Sequence, residues 1–184
     1  ATSRKFLRGP RGVGFLHVAS HMVDRVRPPF IELETATVGA TGIHLRSDRR
    51  RFETWEKNYA AITGFGVAVR YALDVGVEPI WQRVRDLAGR ARDGLASIPG
   101  VEVRDRGRVL GAIVTFDVRD IDPGEIRSRL AERAINVSTT TASSSPIDME
   151  RRGIAEMVRA SVHVYNTTDE VDRFVDSVAE LAAR

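Results

Sequence analysis

Of the 28 basic residues in this chain, only Lys5 and Lys57 are lysines. A side chain that condenses with an aldehyde must be a primary amine, so arginine cannot replace it, and such amines are activated by neighbouring positive charge or by desolvation. Lys5 follows Thr2, Ser3 and Arg4 and precedes the glycine-rich stretch GPRGVG of residues 9–14. Hydroxyls and a guanidinium are phosphate-gripping groups, and glycines let the backbone pass close to a ligand. These residue types suit an amine nucleophile beside a phosphate-bearing ligand. They also leave a second reading open, a solvated lysine next to a glycine turn.

Other chemistries are closed or poorly supported. With no cysteine the chain has no disulfide, thiolate metal site or cysteine nucleophile. His17 lies in an apolar run, His21 and His44 in polar segments, and their spacing matches no metal site, so no metal is expected. His163 stands four residues after Arg159, which strand alternation would put on the same face. The net charge of +3 comes from arginines interleaved with acidic residues, as in SDRRRFE and VRDRGR, a pattern of solvated faces and not of a nucleic-acid stripe. No uninterrupted apolar run reaches the roughly 20 residues of a membrane span, and ATSRKFLRGP lacks a signal peptide's apolar stretch, so a cytoplasmic protein without membrane or nucleic-acid partners is expected.

The elements that must position Lys5 follow from periodicity. After the loop of residues 1–10, GVGFLHVA reads as a buried strand. Residues 27–50, with Pro-Pro and scattered Gly and Thr, read as an irregular surface segment. From Glu56 to Val75, Tyr59, Ile62, Phe65, Ala68, Val69 and Ala72 recur at helical spacing, with Gly76 as a stop. A second helix opens with Pro79 in its first turn and carries Ile80, Val84, Leu87, Ala91 and Leu95 to Pro99-Gly100. VEVRD, GRVLGAIVTFDV, a helix opening at Asp122-Pro123, INVSTTT, VRASVHVY and a helix capped near Thr168 then give strand, strand, helix, strand, strand, helix. That order predicts an α+β layer domain.

The stretch TSRKFLRGPRGVGFL resembles the pyridoxal-phosphate (PLP) attachment signature of the class V aminotransferases: two small residues, then His, Gln or Arg, the Schiff-base lysine, six residues, and Gly-x-Gly entering an apolar strand. Far downstream, VRASVHVYNTTDEVDRFV resembles the family's C-terminal segment, where a strand arginine holds the substrate α-carboxylate and an aromatic-Asn-Thr turn leads into an acidic-started helix. Between them, RRFETWEKNYAAITGFGVAVRYAL is similar to the family's RFE segment and following helix, although Trp55 and Glu56 stand where many relatives carry a Gly-Thr pair whose threonine reaches the partner subunit's phosphate. Thr54 and Asn58 are the nearby polar candidates for that contact, and Trp55 reads as interface packing.

The resemblance implies PLP as cofactor, Lys5 as the catalytic and cofactor-binding lysine, Thr2 and Arg4 as phosphate contacts, and Arg159 as the substrate-binding arginine. A planar guanidinium suits a carboxylate because it binds bidentately and fixes the amino acid's orientation. The implied fold is α/β: the C-terminal part of a fold-type I large domain over residues 1–75, then a linking helix and α+β small domain over 76–184. The acidic partner of the pyridinium nitrogen and the ring stacked on the cofactor precede the lysine in relatives. A missing N-terminal half of the same enzyme, an amino-acid substrate and a homodimer are therefore expected partners.

The absent thiol separates this chain from persulfide-forming cysteine desulfurases, which place a nucleophilic cysteine on the loop before the substrate arginine; here that loop reads STTTASSSPIDMERRG. Serine is a poor substitute, being far less ionised near neutral pH. The segment styles are closer to isopenicillin N epimerase-like proteins, selenocysteine-lyase-like proteins and the sulfoxide C–S lyase of ergothioneine synthesis. A β-eliminating C–S lyase is the expected activity, with a class V aminotransferase or an amino-acid epimerase as the alternative and a non-enzymatic α+β binding module further off.

Overall fold

Ile80, Val84, Leu87, Ala91 and Leu95 lie along one face of α2 (Val77–Ala96) and are all buried, as their helical spacing requires. They form part of the second of two units, Ala1–Val75 and Gly76–Arg184, into which the chain divides in a computed structural model that describes residues 1–183. Among these residues no single helix is long and apolar enough to cross a membrane.

The second unit has two layers. β3 (Val101–Val103), β4 (Ile113–Val118), β5 (Ser138–Thr141) and β6 (Glu156–Ser161) form an antiparallel sheet in the order β3-β4-β6-β5. α2, α3 (Pro123–Glu132) and α5 (Thr168–Ala182) pack on it through Leu87, Leu95, Ile126, Leu130, Phe174 and Leu181. Val114, Phe116 and Val118 of β4 and Val158 and Ala160 of β6 point into this core. By alternation Thr115, Asp117, Met157 and Arg159 belong to the far face. Phe116 is fully buried and meets Phe174 edge-on at 5.8 Å between ring centroids. Phe116→Ala should cost about 3–5 kcal/mol, read as a lower urea midpoint by far-UV circular dichroism with an unchanged denaturant slope.

Helix ends follow local chemistry. Asp122 accepts from the Gly124 and Glu125 amides ahead of Pro123, and Thr167, the residue before α5, forms a capping box with Glu170. α2 and α5 approach closely because Gly94 has no side chain: a Cβ there would lie 2.9 Å from the Val175 methyls. One helix of this unit escaped the sequence reading. α4 (Pro146–Arg151) follows the serine run, starting at a proline and closing over Met149, which clusters with Ile154 and Met157. β6 also ends at Ser161, short of the reach of VRASVHVY.

The first unit is built differently. α1 (Tyr59–Val75) starts three residues later than its periodicity suggested, because the Asn58 side chain accepts from the Ala61 amide and caps it there. The segment read as irregular contains a hairpin, β1 (Ala36–Gly39) with β2 (Gly42–Leu45). Gly39 and Gly42 close its two-residue turn, and Gly42 takes φ 118°. The run GVGFLHVA is not the buried strand its composition suggested. Among the described residues its backbone pairs only with residues 1–3, through the isolated Thr2–Gly14 bridge, and Phe15 and Leu16 are exposed at 49% and 69%. A strand is buried by neighbours on its edges and faces, and within this unit the segment has one short neighbour.

Candidate functional site

Lys5 sits at the tip of a loop whose base is pinned. The Ser3 amide donates to the Val13 carbonyl at 3.0 Å and the Phe15 amide to the Ala1 carbonyl at 2.9 Å. The Gly9 amide donates to the Ser3 carbonyl at 2.9 Å and the Arg8 amide to the Lys5 carbonyl at 3.0 Å. Ser3 is fully buried and its hydroxyl donates to the Pro10 carbonyl, so it anchors the loop and does not serve as the phosphate contact its type allowed. Thr2, Arg4 and Lys5 are exposed, and none of their side chains has a hydrogen bond or ion pair among the described residues. Lys57, the other lysine, is held by Glu53 at 2.6 Å, and that hydrogen bond keeps its ammonium protonated to higher pH than an ordinary lysine. Lys5 is therefore the lysine with a free amine.

The glycines of the loop act on the chain itself. A Cβ on Gly14 would stand 2.2 Å from the Ala1 carbonyl oxygen. Gly14→Ala should force the Thr2–Gly14 bridge open at a cost of about 1–3 kcal/mol, seen as faster amide hydrogen exchange at Ser3 and Phe15. The returning arm, Gly12–Leu16, borders a groove of about 810 Å³ with Phe52, Tyr59, Ile62 and Phe65. Neither Lys5, Thr2 nor Arg4 lines it.

The RFE segment is engaged within the first unit. Arg49 donates to the Val18 carbonyl at 2.8 Å, Arg50 pairs with Glu34, and buried Arg51 pairs with Asp24 at 2.9 Å. The two polar candidates for a cross-subunit phosphate contact are also occupied, Asn58 as the α1 cap and Thr54 as a donor to the Glu56 carbonyl at 3.3 Å. Trp55 is 52% exposed in this chain.

In the second unit Arg159 projects from the far face of β6, opposite Thr115 of β4 and Ser138 of β5. Its Nε is buried and has no hydrogen-bond partner among the described residues. The other far-face arginine is neutralised: Arg104 binds Asp117 at 2.6 Å and also Glu102. An unpaired buried guanidinium nitrogen carries a desolvation cost that an incoming carboxylate would remove.

His163 lies beyond β6, so strand alternation no longer dictates where its ring points. Its amide donates to Asn166 Oδ1 at 2.8 Å and its ring stacks on Tyr165 at 4.6 Å. Asn166 also donates to Glu170 at 2.9 Å, and this bond with the Thr167 amide holds the Glu170 carboxyl below the ordinary range. The aromatic-Asn-Thr turn is thus a cap that fixes where β6 ends and α5 begins. In the serine-rich loop, Thr141 and Ser143 share a hydroxyl hydrogen bond at 2.8 Å. Among the described residues no cluster of three His, Asp or Glu side chains is placed to share a metal ion.

The family model described as aminotransferase class-V matches residues 1–174. The chain belongs to the class V aminotransferase family. Within that family it is 31% identical to a probable cysteine desulfurase of Pyrococcus abyssi, covering 94% of this chain and 43% of the relative. It is 30% identical to a probable hercynylcysteine sulfoxide lyase of Mycobacterium tuberculosis, covering 100% of this chain and 44% of the relative. Among solved structures, the apo cysteine desulfurase of Thermococcus onnurineus superposes with a TM-score of 0.83 at 28% identity, covering 99% of this chain and 46% of that one. The class V chain thus has the mixed helix and sheet fold of those neighbours and spans less than half the length of the relatives it matches. Thr115 and Ser138, which flank Arg159, escaped the sequence reading. Each lies in an expected strand, but which residues oppose one another is set by register, which a single sequence does not display.

Proposed function

We propose that this chain carries the cofactor lysine and the substrate-carboxylate arginine of a PLP-dependent enzyme that acts on an amino acid by β-elimination at a carbon–sulfur bond. The observation that carries the reading is the free Lys5 amine, presented beside unpartnered Thr2 and Arg4 on a loop whose base is pinned by buried Ser3. These residues fit PLP: Lys5 supplies the amine for its aldehyde, and Thr2 and Arg4 supply a hydroxyl and a cation for its phosphate. When bound, PLP takes up the electron pair left on the substrate α-carbon.

The residues of the chain do the rest. Arg159 holds the α-carboxylate and thereby fixes which α-bond stands ready to break. Lys5, as a neutral amine, would take the α-proton and return it as the ammonium. Loss of a β-substituent then makes the reaction an elimination, whereas proton return to other positions makes it a transamination or an epimerisation. Elimination is favoured over persulfide-forming desulfuration because this chain has no thiol to accept sulfur, and the loop before Arg159 carries Ser143, Ser144 and Ser145. A relative named as a sulfoxide lyase supports the same choice.

The domain assignment belongs to this reading: residues 1–75 complete a large cofactor domain and 76–184 form the small domain. The acidic partner of the pyridinium nitrogen and the stacking ring come from the N-terminal half of the same enzyme, and the working form is a homodimer. The exposed Phe30, Leu33, Val38 and Trp55 of the first unit accord with such coverage.

The test uses the full-length enzyme. Borohydride reduction and peptide mass mapping should find a pyridoxyl group on Lys5, and cysteine S-conjugates and their sulfoxides should release pyruvate and ammonia. An unmodified Lys5 would sink the cofactor assignment. A pyridoxyl-Lys5 enzyme that only exchanges amino groups, or only inverts the α-carbon, would replace elimination by the aminotransferase or epimerase alternative.

A further inference from the structure

One row of side chains crosses the far face of the four-stranded sheet. The Arg104 amide, just past β3, donates to the Thr115 carbonyl at 2.7 Å, and register sets Thr115 opposite Arg159 and Arg159 opposite Ser138. Directly opposed residues in antiparallel strands project from the same face with Cβ atoms about 5 Å apart. The row therefore reads Arg104, Thr115, Arg159, Ser138.

The hydrogen-bonding capacity left on each differs. Arg104 is neutralised by Asp117 and Glu102. Thr115 donates its hydroxyl proton to Asp105 at 2.6 Å, and Asp105 is itself paired with Arg92 at 2.6 Å, so Thr115 has no proton left to offer a ligand. Arg159 keeps an unpartnered buried Nε. Ser138 is exposed on β5, an edge strand, and its hydroxyl makes only a 3.4 Å approach to the Arg159 carbonyl, at the weak limit of hydrogen bonding. The donors remaining in the row are two neighbours, Arg159 and Ser138.

We infer that Ser138 is a substrate-binding residue whose hydroxyl donates to the same carboxylate that Arg159 holds, placing that carboxylate over the β5–β6 pair. The inference rests on the carboxylate-binding reading of Arg159. A carboxylate has about four acceptor positions; a bidentate guanidinium uses two, and the Ser138 hydroxyl fills one of those left. Ser138 would thereby raise selectivity for ligands bearing a free α-carboxylate.

Calorimetric titration of the full-length PLP-loaded enzyme with L-alanine and with L-alaninamide, which lacks the carboxylate, tests this. Ser138→Ala should weaken L-alanine about tenfold and leave L-alaninamide unchanged, while Ser138→Thr, which keeps the hydroxyl, should bind L-alanine like the parent. Equal weakening of both ligands by Ser138→Ala would assign Ser138 a structural role and overturn the inference. Unchanged L-alanine binding in Ser138→Ala, together with weakened binding in Arg159→Lys, would overturn the Ser138 contact alone. Unchanged L-alanine binding in Arg159→Lys would instead remove the carboxylate reading of Arg159 and the Ser138 contact with it.

Discussion

Lys5→Ala in the full-length enzyme should lower turnover of its amino-acid substrate by about a thousandfold or more, the scale of a lost proton-transfer group combined with a lost covalent anchor. The same substitution should abolish the pyridoxyl peptide after borohydride reduction. Lys5→Arg should fail almost as completely, because a guanidinium keeps the charge but cannot condense with an aldehyde. Stability should barely move, within about 0.5 kcal/mol, since Lys5 is exposed and the loop is anchored by Ser3, Val13 and Phe15. Stopped or steady-state kinetics beside a thermal melt separate these effects. A Lys5→Ala enzyme of near-normal turnover would show that the amine has no part in the reaction.

Arg159→Leu should raise KM for an amino acid about a hundredfold, the range of roughly 2–5 kcal/mol for removing one side of a desolvated charge pair, with a smaller effect on kcat. Its effect on stability should run the other way. Arg159 Nε is buried without a partner, and a buried unsatisfied donor costs about 1–3 kcal/mol. Replacing it by an apolar side chain removes that cost, so the melting temperature should hold or rise. A large loss of stability, or an unchanged KM, would mean that Arg159 serves the fold and not the ligand. The combination of weaker binding with equal or greater stability is the signature of a group kept unpaired for something outside the chain.

Within the fold, the parts legible in the sequence were those governed by near-neighbour chemistry. The face Ile80, Val84, Leu87, Ala91 and Leu95 had only one way to be buried, and Asp122 before Pro123 and Thr167 before Glu170 mark helix starts through hydrogen bonds three or four residues long. The strands of the second unit were equally plain, being β-branched runs between turns. Lys5 stood out as a candidate for a different reason: its type is nearly absent elsewhere, and the signature it resembles is continuous in sequence.

What escaped depended on partners distant along the chain. GVGFLHVA has the composition of a buried strand, yet composition does not supply the neighbours that would bury it, and Phe15 and Leu16 stay exposed. The β1–β2 hairpin was obscured because its pairing rests on two glycines within a Pro- and Thr-rich segment. Ser3 changed from ligand contact to anchor because the Pro10 carbonyl, seven residues away, accepts its hydroxyl hydrogen bond. The sequence by itself offered the candidates: Lys5 because an amine able to condense with an aldehyde is rare in this chain, and Arg159 through the resemblance of its C-terminal segment. Only the tertiary structure decided that Lys57 is paired and Lys5 free, that Arg104 is neutralised and Arg159 not, and that Ser138 stands beside Arg159, because charge pairing and strand register are properties of contacts between segments and not of any one of them.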